Sequence, residues 1–150
     1  MIQSILLILL SINLVYGSSQ TTSNTPTRTG SFPSKQMAMQ KHEIVKLVAK
    51  EISETLPQII DKYTALTNVV GQGDTLVYTF EIHTGIKSDE AIQKQDRSRM
   101  KKAVTVGVCQ SSRKFLESGI NTSYVYKSAK TKVELFRFDI SQKDCTGLVK

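Results

Sequence analysis

The sequence predicts an α+β domain in which helices cover one face of a four-stranded antiparallel sheet. Two observations predict the sheet: alternating apolar and polar residues at 63–83 and again at 121–140, each interrupted by a short turn. A third predicts the helices, because apolar residues recur at helical spacing from Met37 and again between the two strand pairs. Helices separated in this way from hairpins are typical of α+β domains, with the order α-β-β-α-α-β-β.

The first helix is predicted to run from Met37 to the proline at position 57, which cannot continue a helix. Ile44, Val48 and Ile52 recur every four residues, whereas lysine and glutamate occupy most of the other positions. We therefore expect these three side chains to face the core.

Each strand pair is predicted from alternation on both sides of a turn. In the first pair, 63–70 and 75–83 flank a turn at 71–74; in the second, 121–127 and 133–140 flank a turn at 128–131. One face of the first pair is expected to carry Leu76, Tyr78, Phe80 and Ile82, and one face of the second Phe136, Phe138 and Ile140. The residues of the sheet expected in the core are Leu76, Tyr78, Phe80, Phe138 and Ile140.

Two helices are predicted between the strand pairs. Ser88 is a suitable N-cap, and Asp89 and Glu90 follow it in the first turn, where negative charge opposes the helix dipole. This helix should reach about Val108, and a short one over 113–118 should end at Gly119. The inward side chains of the longer helix are expected to be Ile92, Met100, Ala103, Val104 and Val108.

The N-terminal residues predict export. Residues 1–17 carry no charge and contain an apolar run too short to span a bilayer comfortably, which is typical of a cleaved signal peptide. The alternative is an uncleaved segment that anchors the chain to the inner membrane. Residues 18–36 include ten Ser or Thr and one large apolar residue, so they are expected to form a disordered linker before a single domain at 37–150.

The two cysteines predict a disulfide. In an exported chain an even count indicates bridging, and Cys109 and Cys145 allow one pairing. Neither cysteine belongs to a CxxC pair or has a histidine at metal-ligand spacing. A structural bridge is therefore expected, and no metal site.

No motif of a known catalytic or cofactor-binding site occurs in the sequence. His42 is expected on a solvated helix surface and His83 at a strand end, neither beside a nucleophile. The expectation is a protein with no catalytic residues, no cofactor and no enzymatic activity, with a hydrolase of unrecognised site as an alternative.

The chain has a formal net charge of +7, which can attract anionic partners. The candidate anion-binding residues are Lys94, Arg97, Arg99, Lys101, Lys102, Arg113 and Lys114. No aromatic residue lies within 94–102 and Asp96 interrupts the run, so a solvated helix face explains the same pattern. The sequence is compatible with both interpretations, an anion-binding surface and a solvated helix face.

Residues in both halves of the chain carry a resemblance to a known group of proteins. They are Leu56, Pro57, Asp61, 64–70 and 75–78 in the first half, and Cys109, Arg113, Phe115, Leu116, Gly119, Tyr124, Tyr126, Phe138, Asp144 and Cys145 in the second. With these residues the chain resembles small exported bacterial proteins, often lipoproteins, that have no agreed activity. The resemblance implies export, a bridge between the two cysteines and one compact domain, and it brings no functional residues. The chain differs from the lipoproteins in having no cysteine at the boundary of its signal segment.

These observations favour an exported, non-enzymatic module, periplasmic or secreted, that binds another protein. An envelope accessory protein and an immunity-like protein both fit, since each is small and needs no catalytic site. The alternative is a protein that binds an anionic polymer or lipid headgroups through the basic helix.

Overall fold

The computed structural model describes residues 34–148. The predicted signal segment, and the predicted linker up to residue 33, lie outside the described residues. The elements are α1 (Ser34–Ser53), β1 (Gln58–Ile59), β2 (Thr64–Gln72), β3 (Thr75–Ile82), α2 (Asp89–Ser111), α3 (Arg113–Glu117), β4 (Asn121–Ser128), β5 (Glu134–Ile140) and a 3₁₀ helix (Gln142–Cys145).

The α+β class is confirmed, but the predicted four-stranded antiparallel sheet is wrong. The sheet has five strands in the order β1-β2-β3-β4-β5, and its central pair, β3 and β4, runs parallel. The physical reason is the connection: α2 and α3 carry the chain back along the sheet, and a long helical crossover joins parallel strands. The fifth strand is the two-residue β1, which pairs with β2 and is too short to give a sequence pattern.

The helices and the core lie on one face of the sheet. Leu76 and Phe80 of β3 and Phe136, Phe138 and Ile140 of β5 are buried in one cluster with residues of all three helices. The helix α1 packs mainly on β2, and α2 packs mainly on β5. Of the predicted core positions on the sheet, Tyr78 is half-buried and packs against the cluster.

The predicted inward face of α1 is confirmed for Val48 and Ile52, which pack against the core, but the face is rotated by about one residue. Val45 is completely buried and Ala49 nearly so, whereas Ile44 is 43% exposed and Val48 and Ile52 are half-buried. Close packing on β2 explains the rotation, because a Cβ atom at Gly71 would lie 2.7 Å from Cγ1 of Val45. Glycine at this strand position allows the helix to approach through Val45.

The helix boundaries also differ from the predicted ones. Since α1 begins at Ser34, residues 34–36 of the predicted linker are helical. Ser88 caps α2 as predicted, accepting a hydrogen bond from Ala91 N, but the helix extends to Ser111. Ala103, expected to face inward, is exposed, because the inward side of α2 at this level is formed by Met100 and Val104. Among the helices of residues 34–148, none combines the length and apolarity needed to cross a bilayer.

Candidate functional site

The structure contains the disulfide between Cys109 and Cys145, whose Cα atoms lie 5.4 Å apart. It joins the end of α2 to the 3₁₀ helix that follows β5. Asp144 stabilises the start of this helix by accepting hydrogen bonds from the backbone N and Oγ of Ser141, both 2.8 Å. These bonds lower the pKa of the Asp144 carboxyl group. The bridge and the cap therefore fix the segment after the last strand.

The predicted anion-binding residues are all exposed on α2 and α3. Arg99 pairs with Asp96 at 2.8 Å, and Arg113 pairs with Glu117 at 2.9 Å. Lys94 and Lys101 share one side of α2, but Arg99 lies about 140° around the helix from Lys94. The structure thus does not bring the seven residues together on one surface, and anion binding there stays a prediction.

The described residues contain no arrangement that resembles a catalytic centre. His42 and His83 are both exposed, on α1 and after β3. Within residues 34–148, no three His, Cys, Asp or Glu side chains are grouped closely enough to hold a metal ion. One open cavity of about 220 Å³ is lined by the disulfide, Arg113 and Glu117, where the arginine and the glutamate already form an ion pair.

A groove on the helix-bearing face is the strongest candidate site. Because α1 lies over β2 and α2 over β5, the central strands β3 and β4 form a floor between the two helices. Tyr78, Phe80, Tyr124 and Tyr126 stack along this floor, with successive ring centroids 4.9 to 5.3 Å apart. Parallel pairing places these side chains in register, since Tyr78 is opposite Tyr124 and Phe80 opposite Tyr126.

One flank of α1 forms a wall of this groove. Nζ of Lys41 lies 3.2 Å from the position of a Cβ atom on Gly119, just before β4, so this flank faces the centre of the sheet. Ile44, Val48 and Ile52 lie on the same flank at helical spacing, and each is at least partly exposed. We call the four aromatic residues and these three aliphatic ones the tyrosine groove.

The tyrosine hydroxyl groups of the groove have no protein partner within the described residues. No hydrogen bond from Tyr78, Tyr124 or Tyr126 to another residue of 34–148 is present. Tyr78 and Tyr124 are half-buried, whereas Tyr126 is 8% exposed. Burial raises the pKa of all three, to about 12 for Tyr124 and Tyr126, and a neighbouring tyrosine adds to both of these shifts. The groove therefore presents neutral hydroxyl groups on an apolar floor at neutral pH.

The raised pKa values predict a loss of stability in strong alkali. An unfolded tyrosine ionises near pH 10, whereas Tyr124 and Tyr126 hold their protons to about pH 12. Their contribution is present below pH 10 and is lost as the pH rises to 12, because the unfolded chain releases protons first. Phenolate absorbance should show a step near pH 12 that disappears in the double variant Tyr124→Phe, Tyr126→Phe. Ionisation of every tyrosine near pH 10 would contradict the burial of these rings.

Sequence reasoning did not identify the tyrosine groove. Alternation correctly grouped Tyr78 with Phe80, but the groove also requires β4 to lie beside β3. It further requires the rotation of α1 that exposes Ile44. The usable signal in the sequence is the presence of three tyrosines, Tyr78, Tyr124 and Tyr126, on the predicted strands, because a tyrosine hydroxyl group needs a hydrogen-bond partner or water.

Comparison with known proteins identifies a family and a fold. The family model described as "Domain of unknown function (DUF8479)" matches residues 36–136. No curated protein sequence matches the chain.

Three solved structures share the fold. PA3611 of Pseudomonas aeruginosa, assigned as a secreted protein, is 17% identical with a TM-score of 0.62, over 77% of this chain and 98% of its own. EpsS, a pilotin of the Vibrio vulnificus type 2 secretion system, is 12% identical with a TM-score of 0.63, over 74% and 96%. AspS, a type II secretion system pilotin of Vibrio cholerae, is 11% identical with a TM-score of 0.56, over 75% and 98%. At these identities the likeness concerns the fold.

Proposed function

We propose a function from the groove itself, because the chain belongs to the DUF8479 family, whose description states no activity. The protein is an exported accessory protein of the cell envelope, without enzymatic activity. It binds a segment of another protein in the tyrosine groove. The observation that carries the proposal is the row of stacked aromatic rings beside the exposed flank of α1, whose hydroxyl groups have no hydrogen-bond partner among residues 34–148.

The chemistry of the groove supports a protein segment as its occupant. Tyrosine is enriched where proteins bind each other, since it offers a large rigid apolar surface and one hydrogen-bonding group. Ile44 and Val48 add aliphatic surface at one wall. A peptide with one apolar face would cover the rings and offer polar groups to the hydroxyls of Tyr78 and Tyr124.

The solved structures of the same fold support an envelope location. Two are pilotins of type II secretion systems, and one is assigned as secreted. The uncharged segment at residues 1–17 and the Cys109–Cys145 disulfide are both typical of proteins exported to an oxidising compartment. We therefore extend to this chain the role of a non-enzymatic accessory protein, in the periplasm or outside the cell.

The experiment uses the full exported chain with a photo-cross-linking amino acid at position 44. We expect a covalent product with one protein from position 44, and none from position 50. Lys50 is exposed on the same helix but on the flank away from the groove. The captured protein is then purified and its affinity measured by calorimetry. Ile44→Glu should weaken binding about tenfold or more, because it places a charge on the apolar flank of α1 that the bound segment would cover.

Lys50→Glu is the matched control, since it changes charge on α1 without entering the groove. It should leave both the affinity and the melting temperature nearly unchanged. The same cross-linked product from both positions, or an Ile44→Glu variant that binds as tightly as the native protein, would contradict the proposal.

A further inference from the structure

The end of the sheet opposite the disulfide carries three loops side by side. Thr64 pairs with Ile82, and Ile82 pairs with Ser128, so the start of β2 and the ends of β3 and β4 share one edge. The loops at this edge are 60–63, 83–88 and 129–133, which we call the three-loop tip. His83 N donates to Tyr63 O, and Ala129 N donates to Ile82 O, both at 2.8 Å. These bonds hold the three loops next to one another.

Every loop of the tip presents an exposed apolar side chain next to a lysine. Tyr63 follows Lys62, Ile86 precedes Lys87, and Val133 follows Lys132. Ile60, also exposed, is separated from Lys62 by Asp61. Ile86 is fully exposed and directly follows Gly85, whose φ of +63° lies in the left-handed region that favours glycine. Lys62 lies over the Tyr63 ring, with Nζ 4.6 Å from the ring centroid. Apolar and basic groups thus alternate across this end of the molecule.

Of the carboxylates near the tip, one forms an ion pair and two accept hydrogen bonds from uncharged donors. Glu90, at the start of α2, forms no ion pair within residues 34–148. Asp61 accepts a hydrogen bond from Tyr63 N at 2.7 Å, and Glu81 pairs with Lys132 at 2.8 Å. Asp89 accepts a hydrogen bond from the hydroxyl of Thr131. No ion pair within residues 34–148 includes Lys62, Lys87 or Lys130, so these three ammonium groups can meet an external anion.

Each loop of the tip contains a backbone hydrogen bond of its own. Ile60 N donates to Thr64 O at 2.9 Å, Lys87 N to Thr84 O at 3.3 Å, and Lys132 N to Ser128 O at 2.9 Å. These bonds define the turn within each loop.

We propose that the three-loop tip binds the surface of an anionic lipid bilayer, inserting Ile60, Tyr63 and Ile86 between headgroups while the lysines contact phosphates. A bilayer accepts separate protruding side chains, whereas a protein partner would need a matching pocket for each. Lysine beside apolar residues suits the interface, because its stem lies along the apolar region while the ammonium group stays with the headgroups. This surface is distinct from the tyrosine groove, so the two proposals can fail separately.

The test uses the absence of tryptophan from the chain, which makes an introduced tryptophan a unique reporter. Ile86→Trp and Leu47→Trp are prepared in the full chain; both positions are exposed, but Leu47 lies on α1, away from the tip. Each is mixed with phosphatidylcholine vesicles containing phosphatidylglycerol and brominated lipid. Trp fluorescence from position 86 should shift to the blue and fall about twofold or more, whereas that from position 47 should stay constant. The tryptophan at position 86 reports insertion of the tip itself, so the result can be interpreted even if residues 1–17 also bind the vesicles.

Two charge variants in the Ile86→Trp background show which basic residues contribute to vesicle binding. The triple variant Lys62→Gln, Lys87→Gln, Lys130→Gln should raise the lipid concentration for half-maximal quenching about tenfold or more. The matched control Arg97→Gln, Lys101→Gln, Lys102→Gln removes as many charges from α2 and should have little effect. The proposal is overturned by an unquenched reporter at 86, by equal quenching at 47, by equal quenching on neutral vesicles, or by a larger effect of the α2 variant.

Discussion

Replacing Val45 by aspartate should unfold the domain. Val45 is 0% exposed and packs closely on Gly71: a Cβ atom added to this glycine would lie only 2.7 Å from Cγ1 of Val45. The new carboxylate would therefore be buried in a tightly packed place. An unpaired buried charge with no donor nearby costs more than about 4 kcal/mol, a large part of the stability of a small domain. Circular dichroism of the purified variant should show loss of the cooperative thermal transition.

Leu47→Asp provides the control for this result. Leu47 lies two residues further along α1 and is 65% exposed, so its replacement should change the free energy of unfolding by less than about 1 kcal/mol. The sequence pattern alone predicts burial of Ile52; in the structure Ile52 is half-buried, and Ile52→Asp should be intermediate. Equal damage from the Val45 and Leu47 variants would contradict the orientation of α1.

Replacing both cysteines by alanine should be the second most damaging change. The bridge joins residues 36 positions apart, and the chain-entropy model assigns about 4 kcal/mol to a loop of this length. For a domain of this size the loss should lower the melting temperature by about 10 °C or more. Calorimetry of the native and doubly substituted proteins measures the difference.

Reduction of the native protein supplies an independent check. If the effect belongs to the bridge, the reduced native protein and the double alanine variant should melt at similar temperatures. Thiol labelling of the unreduced protein should find neither Cys109 nor Cys145 free. Two reactive thiols in the native protein, or a variant as stable as the bridged chain, would contradict a stabilising disulfide.

Much of the secondary structure could be predicted because its signals are local. The Ser88 cap, the strand alternation through Leu76 and Phe80, and the glycine that ends α3 act through neighbouring residues. The direction of β4 relative to β3 could not be predicted from either strand, because alternation has the same appearance in both directions. The indication lay in the connection: residues 83–120 are too long and too helical for a hairpin.

The candidate site was harder to predict because it depends on tertiary placement. The basic residues of α2 stood out in the sequence, yet their exposure is what a solvated helix face requires. Tyr78 and Tyr124 belong to strands 46 residues apart and became a shared floor only through the parallel pairing. The exposure of Ile44 depends on the contact between Val45 and Gly71, a packing detail that helical periodicity does not resolve.

The parallel pairing of β3 and β4 at the centre of the sheet affects how the chain folds. The β4–β5 ladder is closed by Lys127 and Glu134, seven residues apart, whereas the first β3–β4 partners, Thr75 and Asn121, are 46 residues apart. Closing the longer loop costs about 2 kcal/mol more in chain entropy. The two hairpins can therefore gain their hydrogen bonds from nearby residues alone, while the central pairing depends on α2 and α3 to bring its strands together. The β3–β4 pairing is thus the part of the sheet that is least stabilised by contacts between residues close in sequence.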